Sequence, residues 1–429
     1  MLDRNVFRDD DIIIKALERS VKTSRFKEMS QQSEVDKFRY ADTILNNVKN
    51  HIYRAHMGVK FVMSERGKIR YITSSSVIDK AMNHIINDYV IVPCISRFLV
   101  YDNGASQKDK GVAFHRKRFR VHLEKFFRRR GSNEGFILFV DFSSFYANIL
   151  HSRCIELLDS FLARGVRDNI ISPEERRMTH KILKSVFRTF EIDVSRFSSN
   201  AIGKMVNGKV DPMINSRIPY DRLTKNVFLK KGVDIGNQSS QSIGIVFPHE
   251  IDNFVKIVCG IKEYGRYTDD IYVIHEDKKF LQEVLGGIKR IAQKWGIIVN
   301  TRKTRIVKLD SFYTHLQDKY RLCEDGVVDR RIRPKGITRE RRKVRKYKNL
   351  IAHKKMTREE AVDATKSWIA SNYKRMSHLQ VKNFILLYHE VFGGFPKFKK
   401  TTGKLCYLIK KVMNEFFQEK AREKRTKKK

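Results

Sequence analysis

The chain has 429 residues, a formal net charge of +40 and 41% hydrophobic residues. Its hydrophobic content is too high for a disordered chain, and its length allows a large core without disulfide bonds. The charge points to a polyanionic partner, with nucleic acid the first candidate and an anionic membrane surface the second. No apolar run approaches the length of a membrane span and the chain starts without a signal-peptide core, so we expect no membrane span.

The cysteines favour a reducing compartment. All five are far apart in the sequence, and none forms a C-x-x-C pair or a Cys/His cluster. This pattern predicts neither a disulfide framework nor a zinc site. We therefore predict a cytoplasmic protein.

The predicted elements begin with a polar, partly amphipathic helical region over residues 1–60. A stretch rich in β-branched residues over 60–75 predicts a hairpin around Glu65-Arg66-Gly67. Residues 76–130 are mostly helical, with a loop at 102–106. An apolar run over 136–142 follows and predicts a buried strand that ends at an aspartate.

Further along the chain, Ser172-Pro173-Glu174-Glu175 is a strong helix start, with an N-cap, a first-turn proline and two acids. A second strand-like run covers residues 264–275. From about residue 326 the pattern predicts a helical, strongly basic region, with residues 333–336 as the connector.

Positive charge is concentrated in three blocks. Residues 108–130, 330–348 and 396–429 hold ten, eleven and thirteen Lys or Arg residues. In the first block, apolar residues recur at helical spacing, so one face should pack inward while the other presents charge. The last residues of the third block are expected to be a solvated tail.

Two segments place aspartates in apolar, strand-like surroundings. Asp141 ends the first predicted strand, and Asp269 and Asp270 are adjacent within the second. Neighbouring carboxylates repel each other and are costly to desolvate unless a cation lies between them. Hard oxygen ligands of this kind suit Mg²⁺. An Asp-Asp pair in an ordinary turn is the plainer interpretation.

Six segments resemble, in order, the motifs of reverse transcriptases. Tyr267 to Asp270 reads Y-T-D-D and resembles their Y-x-D-D box. The other five lie within residues 60–320. The fingers motif is resembled by G-K-I-R-Y-I (67–72), the first palm motif by D-F-S-S-F-Y (141–146), and the middle Gly-x-x-x-Ser motif by G-V-D-I-G-N-Q-S-S-Q (232–241). The Lys-ending segment is resembled by G-I-I-V-N-T-R-K-T (296–304), and the primer grip by S-F-Y-T-H-L (311–316).

The resemblance implies an α+β right-hand polymerase with an antiparallel palm sheet, fingers and a helical C-terminal thumb. The expected regions are an N-terminal helical region (1–60), fingers and palm (61–325), a basic helical thumb (326–395) and a basic C-terminal helix and tail (396–429). The implied activity is RNA-directed DNA synthesis from dNTPs by a two-metal mechanism with Mg²⁺, or Mn²⁺ in its place. The implied partners are a structured RNA template and a DNA or protein primer.

The resemblance also implies residue roles. Asp141 and Asp269 would bind metal, Asp270 would be a less direct third carboxylate, and the carbonyl of Phe142 would complete one metal. Tyr146 would stack under the sugar and exclude a 2′-hydroxyl. Nucleotide binding would involve Lys68, Arg70, Gly236, Gln238, Ser240 and Lys303. The primer grip would contain Phe312 and Leu316, and duplex binding would involve Arg341, Arg342 and Arg345.

Each of these assignments has a plainer alternative. Tyr146, Phe312 and Leu316 could be core residues, and Lys68 and Arg70 could belong to an exposed basic hairpin. The segment around Gly236 could be an ordinary turn. Lys303, expected to protonate pyrophosphate, could be a solvated surface lysine, and the basic stretch at 330–348 could serve solubility alone.

The form of the middle motif narrows the lineage. I-G-x-x-x-S-Q at residues 235–241 is similar to bacterial enzymes of diversity-generating retroelements and of antiphage defence. No V-T-G box and no C-terminal Cys/His module occur, which argues against retron and group II intron proteins. The chain continues from residue 317 to residue 429, which favours a defence enzyme with a dedicated non-coding RNA over the diversity-generating type.

Two hypotheses lie outside this lineage. An inactive basic RNA-binding scaffold is disfavoured because all three expected aspartates are present. An RNA-templated RNA polymerase shares the palm, but Tyr146 at the sugar position favours deoxynucleotides.

Overall fold

The computed structural model describes residues 5–22, 27–65, 68–207, 228–398 and 403–426. The chain divides into two compact units. The first contains Met1–Arg129 and Gly135–Lys308, and the second contains Arg130–Glu134 and Leu309–Lys429.

Helices make up most of the first unit. Their bounds are α1 (Asp10–Val21), α2 (Glu28–Val35), α3 (Lys37–Lys49), α4 (Val77–Ile85), α5 (Val92–Ile95), α6 (Val112–Arg130), α7 (Phe145–Asn148), α8 (His151–Arg167), α9 (Pro173–Phe190), α10 (Ser199–Asn207), α11 (Gln238–Val246), α12 (His249–Asn253) and α13 (Lys278–Trp295). π-helical turns at Ile86–Ile91 and Phe254–Val258 extend α4 and α12, and Ser96–Phe98 is a 3₁₀ turn.

The start of α9 shows how local sequence sets an element. Ser172 Oγ accepts from Glu175 N at 3.1 Å, and Glu175 Oε2 accepts from Ser172 N at 2.7 Å. This reciprocal capping box satisfies two main-chain donors that a helix start leaves unpaired. Pro173 occupies the first helical position, so the helix start predicted from the sequence is confirmed.

The strands form small antiparallel sheets. Their bounds are β1 (Val59–Glu65), β2 (Lys68–Ser74), β3 (Phe136–Val140), β4 (Ile192–Asp193), β5 (Phe228–Leu229), β6 (Tyr264–Tyr267), β7 (Asp270–His275), β8 (Arg305–Lys308), β9 (Tyr313–His315), β10 (Asp318–Leu322) and β11 (Val328–Ile332). The central sheet has the order β6–β7–β3–β8, and all of its neighbours are antiparallel. β1 and β2 form the expected hairpin.

The central sheet is covered on both faces. Four consecutive residues of β3, from Ile137 to Val140, are buried. Since successive side chains point to opposite faces of a sheet, both faces of β3 must be packed. The core of the first unit includes Leu138 and Val140 together with apolar residues of α4, α8, α9 and α13. The central sheet therefore packs against an apolar core.

The second unit combines a small sheet with basic helices. The sheet order is β11–β10–β9, and the helices are α14 (Pro334–Ala352), α15 (Arg358–Asn372), α16 (His378–Phe392) and α17 (Gly403–Thr426), with a 3₁₀ turn at Tyr373–Arg375. The expectation of helix from residue 326 is wrong for β11, which pairs antiparallel with β10. Buried Asp318 in β10 binds Arg330 of β11 at 2.6 Å, which favours the strand.

In the described part of the chain, no helix is both long enough and apolar enough to cross a membrane.

Candidate active site

The two predicted aspartate segments meet at one end of the central sheet. β3 and β7 pair antiparallel, and their last registered pair is Val140 with Ile271. Continuing this register by one residue sets Asp141 opposite Asp270. The sheet therefore brings together carboxylates that are far apart in the sequence.

Asp269 lies in the tight turn between β6 and β7. The two strands pair as far as Tyr267 and Asp270, which leaves Thr268 and Asp269 as the turn. Thr268 has φ +56°, a conformation that is uncommon for a β-branched residue. Such a residue persists only when its surroundings hold it in place. The position of Asp269 therefore depends on contacts from outside the two-residue turn.

Asp141 is held by the segment that precedes β8. Lys303 Nζ lies 2.9 and 2.8 Å from the two carboxylate oxygens of Asp141. Asn300 Nδ2 donates to the same carboxylate at 3.2 Å, and Asn300 N donates to Asp141 O at 2.8 Å. The Asp141 side chain is 13% exposed and the Lys303 side chain 55% exposed. Lys303 is therefore not simply a solvated lysine, because it pairs with a predicted metal ligand.

The neighbouring Phe142 is fixed by the same segment. It forms an isolated antiparallel bridge with Val299, and its side chain is buried. Ser143 N donates to Ile298 O at 2.7 Å. These bonds hold the main chain that follows Asp141, including the Phe142 carbonyl that was assigned to the metal.

The oxygens at this end of the sheet fit a divalent cation whose coordination is completed by substrate. The described residues contain no group of three or more His, Cys, Asp or Glu side chains placed to hold a metal by themselves. Mg²⁺ is usually bound by one or two carboxylates plus substrate phosphates and water, rather than by an all-protein cage. Asp141 offers such a partial set with the neighbouring Asp269 and Asp270, and the Lys303 ammonium already pairs with its carboxylate.

Tyr146 in α7 lies between this end of the sheet and α11. A Cβ on Gly244 would lie 2.3 Å from Tyr146 Oη, so the glycine provides the space for the hydroxyl. Burial raises the pKa of Tyr146 to about 12, and the negative charge of Asp269 adds to this effect. The phenol is therefore neutral and lies within electrostatic reach of Asp269. Its role in sugar selection stays a prediction.

Comparison with known protein families shows which family the chain belongs to. Residues 58–350, more than half of the sequence, match the model of the reverse transcriptase (RNA-dependent DNA polymerase) family. The chain belongs to the reverse transcriptase family. Membership classes it with the nucleotidyltransferases, and the right-hand polymerase fold expected from the motifs is confirmed.

Similar solved structures include telomerases. Telomerase from Candida albicans in complex with a fragment of telomeric RNA has a TM-score of 0.43 and 11% identity, and the match covers 86% of this chain and 65% of that one. Two apo telomerases from Candida tropicalis each have a TM-score of 0.41 and 14% identity. Those matches cover 63% and 84% of this reverse transcriptase, and 54% and 62% of the telomerases. Comparison with curated proteins gives no match.

Gly236 of this reverse transcriptase makes a close backbone contact with the β1–β2 hairpin. Its φ is +120°, and a Cβ there would lie 2.6 Å from Thr73 O. Thr73 N donates to Ile235 O at 3.0 Å, so β2 pairs with the segment that leads into α11. Only glycine tolerates both the conformation and the contact. The segment is thus more than an ordinary turn, although its role under a base pair stays a prediction.

Gln238 and Ser240 lie in the first turn of α11. Gln238 Nε2 donates to Asp88 Oδ1 at 2.6 Å, whereas Ser240 Oγ is buried and has no hydrogen-bond partner among the described residues. Gln238 also lines a cavity of about 1020 Å³ in the first unit. Four cations line the same cavity: Arg19, Lys22, Lys80 and Lys108.

Lys68 and Arg70 lie on β2, in register with Glu65 and Met63. Their side chains, and the residues Arg66 and Gly67, lie outside the described part of the chain. Their assignment to the triphosphate stays a prediction.

The predicted primer grip lies in the second unit. Phe312 is 38% exposed, and cations lie 5.3, 4.7 and 4.9 Å from its ring centre: Lys319, Arg321 and Arg331. Phe312 is therefore not a core residue, and an exposed ring among cations is a type of surface on which bases stack. Leu316 is half-buried in the β9–β10 turn with φ +41°.

The predicted duplex-binding arginines lie on α14. Arg342 and Arg345 are exposed and Arg341 is half-buried, whereas Val344 and Tyr347 of the same helix are buried. One face of α14 thus packs inward while the other presents positive charge.

Sequence reasoning missed four residues that shape the site. Asn300 binds Asp141, Gly244 provides the space for Tyr146, and Arg266 and Asp252 form a fully buried ion pair behind the turn. Among 88 Lys and Arg residues, a single buried arginine has no sequence signal. Gly244 could have been noticed as a glycine inside an apolar helical run.

Proposed function

We propose that this chain is an RNA-directed DNA polymerase that extends a primer with dNTPs on an RNA template, using two Mg²⁺ ions. The observation that carries the proposal is the antiparallel pairing of β3 with β7, which sets Asp141 beside the Asp269–Asp270 turn. Membership of the reverse transcriptase family supports the same chemistry.

The chain's own residues have distinct parts in the proposed reaction. Bound divalent ions would activate the primer 3′-hydroxyl and neutralise charge on the leaving pyrophosphate. Asp141, Asp269 and the Phe142 carbonyl would hold them, with Asp270 less directly involved. The Tyr146 ring would exclude a 2′-hydroxyl. Lys303, which lies against Asp141, would donate its Nζ proton to the pyrophosphate oxygen.

Positive surfaces supply the proposed nucleic-acid contacts. The cavity beside α11 carries four cations, and its amide side chains could bind bases or sugars. In the second unit, Phe312 and the exposed face of α14 suit a primer strand and a duplex backbone. These contacts support a structured RNA template and a DNA or protein primer as partners.

We further propose that the biological role is bacterial antiphage defence with a dedicated non-coding RNA. The I-G-x-x-x-S-Q motif and the four helices that follow the small sheet of the second unit support this lineage. A diversity-generating retroelement is the second candidate, favoured by the same motif. Sequencing the RNA that copurifies with the protein, and challenging expressing cells with phage, separates the two. One structured RNA with protection supports defence, whereas a protein-coding template repeat without protection supports the alternative.

Primer extension tests the polymerase proposal. The purified chain is given an RNA template, a DNA primer and Mg²⁺, with either dNTPs or rNTPs. We expect extension with dNTPs and none from the Asp269→Asn/Asp270→Asn variant, because the metal ligands are removed. Asp193→Asn, at an exposed site in β4, is the matched control and should extend normally. A folded wild-type chain that binds RNA but never extends would establish the inactive scaffold instead.

A further inference from the structure

Arg266 is a fully buried cation on β6, two residues before the strained Thr268. Both Arg266 and its partner Asp252 of α12 have 0% side-chain exposure. Nε donates to Asp252 Oδ1 at 2.7 Å, and Nη2 donates to Oδ2 at 2.6 Å. This bidentate pair neutralises the buried charge and fixes the plane of the guanidinium.

The remaining donors of Arg266 go to main-chain carbonyls around the site. Nη1 donates to Thr268 O at 3.1 Å, in the turn that carries Asp269. Nη2 donates to Ile245 O at 2.6 Å, and Nη1 reaches Gly244 O at 3.5 Å. A guanidinium has five N–H groups, so every donor has an acceptor.

The Arg266 side chain therefore links the turn to Gly244, the residue of α11 that leaves space for Tyr146. Thr268 cannot hold its conformation unaided, and the Arg266 bond to its carbonyl is a contact from outside the turn. Gly244, at the other end of the link, contacts Tyr146 Oη. Arg266 thus connects the turn that carries Asp269 to the helix that contacts Tyr146.

We propose that Arg266 is a positioning residue that sets the carboxylate turn relative to Tyr146, and so governs both metal affinity and sugar selection. This inference rests on the proposed polymerase function. The Arg266 main chain is held separately, because Arg266 N donates to Asp102 O at 3.1 Å and Gly104 N donates to Arg266 O at 2.9 Å. Changing the side chain should therefore leave β6 in place.

Arg266→Lys tests the proposal. Lysine keeps the charge opposite Asp252 but has three donors and no planar fork, so it cannot also serve α11 and the turn. The control for the bidentate geometry is Arg176→Lys, because Arg176 binds Asp159 in the same way, at 3.2 and 2.8 Å, between α9 and α8, in a pair that is partly exposed. Two quantities are measured: Mn²⁺ affinity by electron paramagnetic resonance without nucleic acid or nucleotide, and the dNTP-to-rNTP incorporation ratio.

We expect Arg266→Lys to weaken Mn²⁺ binding and to lower the incorporation ratio, each by about tenfold, since small displacements of reacting groups have large effects. Arg176→Lys should change neither. A lower melting temperature with unchanged Mn²⁺ affinity and ratio would show a structural role alone and overturn the proposal.

A second variant covers the case in which Arg266→Lys does not fold. Arg266→Met with Asp252→Leu and Tyr264→Phe replaces the pair, and the buried Tyr264 hydroxyl that donates to Asp252, by apolar groups of similar volume, an exchange that proteins often tolerate. It should show the same two shifts, and a folded triple variant with wild-type values would refute the proposal. If Mn²⁺ affinity shifts but the wild-type chain never extends a primer, positioning is supported while the polymerase function fails.

Discussion

Replacing Gly244 with alanine should displace Tyr146. The new Cβ would lie 2.3 Å from Oη, 2.8 Å from Cζ and 3.0 Å from Cε1 of the ring, which is too close for non-bonded atoms. Gly244 lies inside α11 and its φ is not positive, so the backbone itself accepts alanine. The effect of the substitution is therefore decided by the Tyr146 ring.

The size of the effect follows from two opposing terms. Alanine in place of glycine in a helix interior stabilises by about 1 kcal/mol. Overpacking against the ring costs about 1–3 kcal/mol. The net result is a destabilisation of roughly 0–2 kcal/mol in the wild-type background. In a Tyr146→Val background the ring is absent, so Gly244→Ala should instead stabilise by up to about 1 kcal/mol.

Thermal unfolding of the two single variants, the double variant and the wild type measures this coupling. The first unit has about 300 residues, so 1 kcal/mol corresponds to a shift of about 1.6 °C in its melting temperature. The coupling should therefore appear as a difference of about 2–5 °C between the two backgrounds. Gly286→Ala is the control, because only Arg290 Nη1 lies near its Cβ position, at 3.7 Å.

Nucleotide choice provides a second measurement on the same proteins. Tyr146→Val should admit ribonucleotides and lower the dNTP-to-rNTP ratio. Equal melting shifts from Gly244→Ala in both backgrounds would refute the packing argument. An unchanged ratio in Tyr146→Val would show that Tyr146 is a packing residue only.

Three further predictions concern charge. Asp269→Asn/Asp270→Asn should keep wild-type RNA affinity in a filter-binding assay, because basic surfaces supply the binding; loss of RNA binding by a folded variant contradicts this. Lys303→Met should tighten Mn²⁺ binding about two- to fivefold, the value of an exposed ion pair, while slowing single-turnover addition; weaker Mn²⁺ binding would refute competition at Asp141. Alanine at Arg341, Arg342 and Arg345 of α14 should lower the slope of log affinity against log salt by roughly two to three units. A wild-type slope would show that this stretch only keeps the chain soluble.

Features that depend on neighbouring residues were readable from the amino-acid sequence. The apolar run before Asp141 predicted β3, and the Ser172 start of α9 was visible because a capping box joins residues only three positions apart. Periodicity and spacing express such local interactions directly.

Features that depend on contacts between distant segments were decided by the tertiary structure alone. β11 replaced the expected helix because it pairs with β10 and because Arg330 binds the buried Asp318. Arg266 resembles any other cation in the sequence until Asp252 and α11 surround it. Lys303 could be assigned to Asp141 only once β8 was packed beside β3. Register and packing depend on the shape of the whole core, and that shape is not encoded in any short stretch of residues.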